Sequence, residues 1–242
     1  MLSLPIRMCM NHLTKGVDGA SLAVFRVVYG VVGVVSMVRL ETYGWVSTLY
    51  VEPERHLTYP GLRFVDDLGP TGTHALVAVV GLGALAVALG FHTRLSLVVF
   101  VAGFGWLEFV DVATYLNHYW FMTVAGVVLL AAPVDTTAAL RPSDRPVPMA
   151  WVWLLRALVG MVYTFAGLAK LDADWLLDGL PLRLWLPFRS SLPLVGPVLE
   201  MPATAYVLSW LGAIFDCTIV ALLCQRRTRP WGWAAVVAFH VS

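Results

Sequence analysis

Apolar residues in this chain do not alternate with polar ones. They come in runs of about twenty, the length a helix needs to cross hydrocarbon. Six such runs stand out, at residues 20–40, 74–91, 95–109, 115–133, 150–169 and 203–224. A seventh begins at Trp231 and has too few residues before Ser242 to span a bilayer, so it is either half-inserted or the start of a span in a longer protein. The pattern predicts an all-α polytopic transmembrane bundle of six spans plus a truncated seventh, forming one domain over residues 1–242. Neither an internal repeat nor a low-complexity tract appears. The first ten residues lack a small-residue cleavage site, so the first span acts as an uncleaved start.

The polar intervals are unequal. Residues 90–94 form a tight turn, whereas 41–73 is a long connection with Glu41, Glu52, Glu54, Asp66 and Asp67 among turn formers and aromatics. A connection of that length is structured more often than idle, and residues 56–65 are expected to fold back over the bundle. Glu108 and Asp111 close the third span. Residues 134–149 make a proline-rich hydrophilic loop, and 171–202 a semi-apolar segment rich in Pro and Trp, expected to be re-entrant or to lie along the interface.

Composition agrees with the pattern. Hydrophobic residues make up 59% of the 242 and charged residues 13%, leaving too little polar surface to cover a soluble globule. A net charge of +1 excludes nucleic-acid binding as a theme. Counting arginine and lysine in the connections places Arg7, Lys15, Arg94, Arg141, Arg145, Arg226, Arg227 and Arg229 on the N-terminal side, eight against five for Arg55, Arg63, Lys170, Arg183 and Arg189. By the positive-inside rule the N-terminus is expected in the cytoplasm, with Lys170 and the long acidic loops on the outer or lumenal face. Cys217 and Cys224 are seven apart on one span, about 10 Å along its axis and too far for a disulfide.

Few residues within the apolar runs carry chemistry. Arg26 breaks the first span; it either points into the bundle toward a carboxylate or a backbone carbonyl, or snorkels to the near interface. Arg156 interrupts the fifth span and Asp216 the sixth. Asn117 and His118 stand at the mouth of the fourth, where they either cap free backbone donors or present a histidine to a cavity. Lys170, one of only two lysines, ends the fifth span and is followed by Asp172, Asp174 and Trp175. An interfacial anchor could equally be arginine; a lysine can also give up its proton when desolvated.

These residues carry a resemblance. Residues 163–175, Tyr-Thr-Phe-Ala-Gly-Leu-Ala-Lys-Leu-Asp-Ala-Asp-Trp, with Gly179-Leu-Pro-Leu-Arg183, give its specific signal. Ser21 to Arg26, Tyr59-Pro-Gly61, Tyr115-Leu-Asn-His-Tyr119, Phe215-Asp216, Thr228-Arg-Pro230 and Phe239-His240 support it. Together they resemble the vitamin K-dependent γ-carboxylase family and its bacterial relatives, the horizontally transferred transmembrane domain, over almost the whole chain. The resemblance implies a membrane enzyme that couples epoxidation of reduced vitamin K, a hydroquinone or menaquinol, to deprotonation and carboxylation of glutamate. Its co-substrates are O2 and CO2, and no metal is required. It further implies Lys170 as the base that deprotonates the hydroquinone and His118 as its assistant. Asn117, Arg26, Arg156, Tyr163, Trp175 and His240 are the candidate substrate or quinol contacts. The implied partners are membrane lipid, the lipophilic quinol and a glutamate-containing peptide or protein. Asp172 and Asp174 are expected to turn away from Lys170, toward water or Arg183. The alternative is a non-catalytic membrane protein of the same fold, acting as a partner, processing or immunity component or as a carrier of a lipophilic ligand.

Overall fold

The computed structural model describes residues 13–193 and 195–241. Five of its helices are long and apolar enough to cross a membrane: Ala20–Thr42 (α1), Gly69–Leu89 (α2), Thr93–Val110 (α3), Met149–Ala169 (α5) and Pro202–Cys224 (α9). The 23 residues of α1 make about 34 Å of helix, enough for hydrocarbon roughly 30 Å thick. The fourth apolar run is shorter than its sequence suggests. Helix Asn117–Ala131 (α4) has 15 residues, about 22 Å. Leu116 is extended before it, and Ala132 is pushed to extended backbone by the following Pro133. The last run forms Arg229–Val241 (α10). Strand content among the described residues is one antiparallel pair of two-residue strands, Gly16–Val17 (β1) with Val147–Pro148 (β2).

Apolar side chains face outward as well as inward. On α1, Val24 is 63% exposed while Arg26 is fully buried. That inverted arrangement suits a solvent of lipid tails, in which polar groups must be satisfied inside the protein.

Chain packing separates two units, divided between Leu155 and Arg156. In the first unit α1 lies against α2, and α2 against α3. A Cβ on Gly30 would lie 2.5 Å from the Ala88 nitrogen and 2.7 Å from the Ala84 oxygen, so only glycine lets the two backbones approach this closely. Tyr29, buried in α1, donates its hydroxyl to the Met122 carbonyl of α4 at 2.8 Å, and its ring meets Phe100 of α3 edge-on at 5.3 Å.

Arg26 takes the inward course. Its guanidinium donates to the carbonyls of Val134 (3.2 Å), Ala88 (3.5 Å) and Ala138. The charge is thereby spent on fastening the 132–148 loop over the end of α2, where Leu140 and Arg141 also donate to Leu89 and Gly90.

The long connection folds back over the bundle. After a π-helical turn at Ser47–Val51, the Val112 amide donates to the Leu57 carbonyl at 2.8 Å, Trp106 Nε1 donates to the Asp66 carbonyl at 3.1 Å, and Tyr59 meets Phe109 edge-on. Contacts to the end of α3 therefore hold the connection at several points.

In the second unit α9 buries one stripe, Ala205, Ser209, Gly212, Ala213, Asp216 and Ile219. The 170–201 segment is built of short turns: Ala173–Leu176 (α6), Leu182–Trp185 (α7), a 3-10 turn Leu186–Arg189, and Gly196–Leu199 (α8). Leu184, Trp185 and Phe188 on it are 60%, 61% and 84% exposed beside Arg183 and Arg189, the composition of a segment at a membrane surface. At the far end of α9, Arg229 Nε donates to the Leu223 carbonyl (2.9 Å) and Thr228 to Leu222 (2.8 Å), answering carbonyls that the last helical turn leaves free.

Candidate functional site

In the second unit, α5 ends at Ala169 and Lys170 is the first residue beyond it. Its side chain runs to α9. Lys170 Nζ stands 2.6 Å from Asp216 Oδ2, 3.4 Å from the Ala166 carbonyl and 5.0 Å from the centre of the Trp175 ring. The Lys170 side chain is 19% exposed and that of Asp216 5%. At 2.6 Å the contact is a short hydrogen bond from Nζ to the carboxyl oxygen. With so little water present, neither partner could lose the other cheaply.

Local sequence explains how the pair is reached. A Cβ on Gly167 would lie 2.9 Å from Cys217 Sγ and 3.0 Å from the Cys217 nitrogen, so the absence of a side chain there brings α5 onto the backbone of α9 one turn before Lys170. Asp172 starts α6, its Oδ1 accepting from the Trp175 amide at 3.1 Å. Asp172 and Asp174 are both exposed to water, one of the two directions expected, and Asp172 also serves this helix end. The cap fixes Trp175, whose Nε1 donates to the Ser209 carbonyl at 2.7 Å and whose ring covers the lysine. Gly212 lies beneath both, 3.9 Å from the indole and 4.0 Å from Lys170 Cε when measured from its would-be Cβ. Ser209 is fully buried and its hydroxyl has no hydrogen-bond partner.

Tyr163, two turns before Lys170 on α5, belongs to an aromatic group with Phe215, Phe239 and His240. His240 Nδ1 is 3.0 Å from the Val236 carbonyl, which can only accept; this leaves Nε2 as acceptor for the Tyr163 hydroxyl at 3.4 Å. An open cleft of about 180 Å³ adjoins these elements, lined by Leu171, Leu176, Trp210, Ala213, Ile214, Cys217 and Thr218. Leu171 follows Lys170, and Cys217 follows Asp216. Thr218 spends its hydroxyl on the Ile214 carbonyl, so the walls are apolar.

Of the residues predicted from sequence, Lys170, Trp175, Tyr163 and His240 fall in this unit within two clusters joined through Phe215-Asp216. Arg156 also lies in this unit and is exposed on α5. Arg26, Asn117 and His118 belong to the first unit, where Arg26 is committed to backbone carbonyls. Asn117 and His118 are exposed in the first turn of α4, and Leu116, not Asn117, occupies the capping position, without a side-chain cap. Asp216, Ser209 and Gly167 were absent from the predicted site. A signal existed for Asp216 alone, since a lone carboxylate inside an apolar span calls for a cation.

A family model described as the HTTM domain matches residues 14–242. The chain belongs to the HTTM domain family. The match runs across both packing units, and with the five long apolar helices it makes this HTTM protein an integral membrane protein. No solved structure matches the chain.

Proposed function

We propose that this HTTM protein is a vitamin K hydroquinone-dependent carboxylase-like enzyme, in which Lys170 accepts the proton of the bound quinol. The HTTM domain is found in vitamin K-dependent carboxylases and also in other proteins. The observation that carries the reading is the Lys170–Asp216 pair, 2.6 Å apart, whose chain neighbours Leu171 and Cys217 line an apolar cleft.

The residues present suit such a ligand. Sites that enclose a drug-sized molecule measure roughly 300–1,000 Å³. A cleft of about 180 Å³ with apolar walls matches one ring system or a length of isoprenoid chain instead. Leu171, Leu176, Trp210 and Ile214 would hold it. Reduced vitamin K, once oxygenated, supplies the strong base that abstraction of a γ-proton from glutamate demands and that no side chain provides.

The protein's part is proton handling in a dry site. Nζ accepts a proton only as an amine, and Asp216 can hold the displaced proton across the 2.6 Å contact. Once Nζ is an ammonium, the Ala166 carbonyl and the Trp175 ring stabilise the charge. Arginine could not replace lysine, because its guanidinium does not give up a proton. The Lys170 end of α5 faces the outer or lumenal side.

The test uses the purified protein in lipid with vitamin K hydroquinone, O2, CO2 and a glutamate peptide. Wild type is expected to form epoxide and to fix CO2, and Lys170→Ala to lose both by about 10²–10⁴-fold, the usual contribution of a positioned base. A wild type that binds the quinol but forms no epoxide would favour a carrier of lipophilic ligands.

A further inference from the structure

The folded-back connection of the first unit holds a second set of chemically capable groups. The His56 side chain is only 4% exposed and both of its ring nitrogens face acceptors. Nδ1 is 3.1 Å from Asp111 Oδ2, and Nε2 is 3.1 Å from the Tyr50 carbonyl and 3.8 Å from Asp67 Oδ2. One ligand atom each from His56, Asp66 and Asp67 can be chosen with all three within 4.8 Å of one another.

Asp111 is a well-satisfied carboxylate. Its Oδ1 accepts from the amides of Leu57 (3.3 Å) and Ala113 (2.8 Å), leaving Oδ2 for the imidazole. A hydrogen on Nδ1 therefore donates to Asp111, which turns the lone pair of Nε2 toward a carbonyl oxygen and a carboxylate, with no donor opposite. The other neutral tautomer moves the same conflict to Nδ1. Three carboxylates, Asp66, Asp67 and Asp111, stand around this one ring. At 3.8 Å, moreover, Asp67 is beyond hydrogen-bond reach of Nε2.

A cation of higher charge resolves all of these conflicts together. Ligand atoms about 2.0–2.2 Å from a Zn2+ or Mn2+ ion stand roughly 3.0–3.6 Å from each other at tetrahedral or octahedral angles. Of the two Nε2 distances, 3.1 Å to the Tyr50 carbonyl falls within that spacing and 3.8 Å to Asp67 lies just above it. Carboxylate, imidazole and cation in sequence is also the arrangement by which a second carboxylate orients a ligating histidine. Asp66 Oδ1 and Asp67 Oδ1 are engaged by the amides of Asp67 and Gly69, and each side chain keeps one oxygen free to bind.

We propose that His56 Nε2, the Asp66 and Asp67 carboxylates and the Tyr50 carbonyl bind a divalent transition-metal cation, with Asp111 orienting the imidazole. The ion ties the two ends of the 50–67 connection to each other, Asp111 links it through His56 to the end of α3, and its role is distinct from the Lys170 chemistry.

The full-length protein in detergent, stripped with chelator and titrated with Zn2+ or Mn2+, tests the site. About one equivalent is expected to bind, and Asp66→Asn or Asp67→Asn to weaken binding at least about tenfold each. Asp66 is exposed, so its variant tests the site without disturbing folding. Glu41→Gln, at the separate exposed His74–Glu41 pair, is expected to leave affinity unchanged. Bound Mn2+ should show nitrogen hyperfine coupling from one imidazole, absent in His56→Gln. Failure of the wild type to bind either ion, unchanged affinity in the Asp66→Asn/Asp67→Asn double variant, or Mn2+ bound without nitrogen coupling would each overturn the assignment. The second of these would mean surface binding elsewhere, and the first an imidazolium in place of the metal.

Discussion

Replacing Asp216 by Asn keeps the shape of the side chain and removes its charge. Lys170 then keeps only the Ala166 carbonyl at 3.4 Å, the face of Trp175, and whatever the amide oxygen can accept. Removing one member of a buried pair costs about 3–5 kcal/mol, because the other charge is left without compensation. The residual amide contact and the 19% exposure of Lys170 place this substitution at the lower end, about 3 kcal/mol. The companion change Lys170→Met removes the cation and is expected to cost a similar amount alone, by leaving Asp216 unpaired. Together they should cost about 2 kcal/mol less than the sum, since the double variant buries no orphan charge. Reversible unfolding in mixed micelles, followed by tryptophan fluorescence, measures all four corners of the cycle. Additivity within about 0.5 kcal/mol would refute the claim that the two side chains are coupled.

Three further outcomes follow from the same geometry. Gly167→Ala places a methyl 2.9–3.1 Å from Cys217 and the Asp216 carbonyl carbon, forcing α5 off α9; a loss of about 1–3 kcal/mol is expected by the same unfolding assay. Arg26→Met strips three carbonyls of their donor, and should cost about 3 kcal/mol while speeding protease cleavage within residues 132–148, with Arg26→Lys only partly restoring protection. Tyr50, outside the spans, has its phenol pushed up to about 12, first by burial and then by neighbouring Tyr119. Its folded-state value exceeds the unfolded value near 10, so its stabilisation is complete below about pH 10 and declines by about 3 kcal/mol as pH rises toward 12. Unfolding free energy measured across that window should fall less steeply in Tyr50→Phe.

Hydropathy made the spans legible because a helix in lipid leaves few choices of length or composition. Where it erred, at α4, the cause was local: Pro133 acts on Ala132, and Leu116 is extended before Asn117. Lys170 was legible as chemistry because a rare residue sat at the boundary of an apolar run. Its partner was not, since Asp216 lies 46 residues away and periodicity carries no information about which helices meet. The nearer aspartate, Asp172, is occupied by the amide of Trp175. His56 and Asp111, 55 residues apart, were hidden for the same reason, although folding of their connection over the bundle was expected from its length.

Epoxide formation by wild type, Lys170→Ala and Lys170→Arg in the same bilayer, with quinol affinity measured in parallel, tests the assignment of Lys170 as proton acceptor most directly. Both variants should lose about 10²-fold or more in rate while binding the quinol nearly as well as wild type. Equal epoxide from Lys170→Ala, or none from a wild type that binds the quinol, would contradict it.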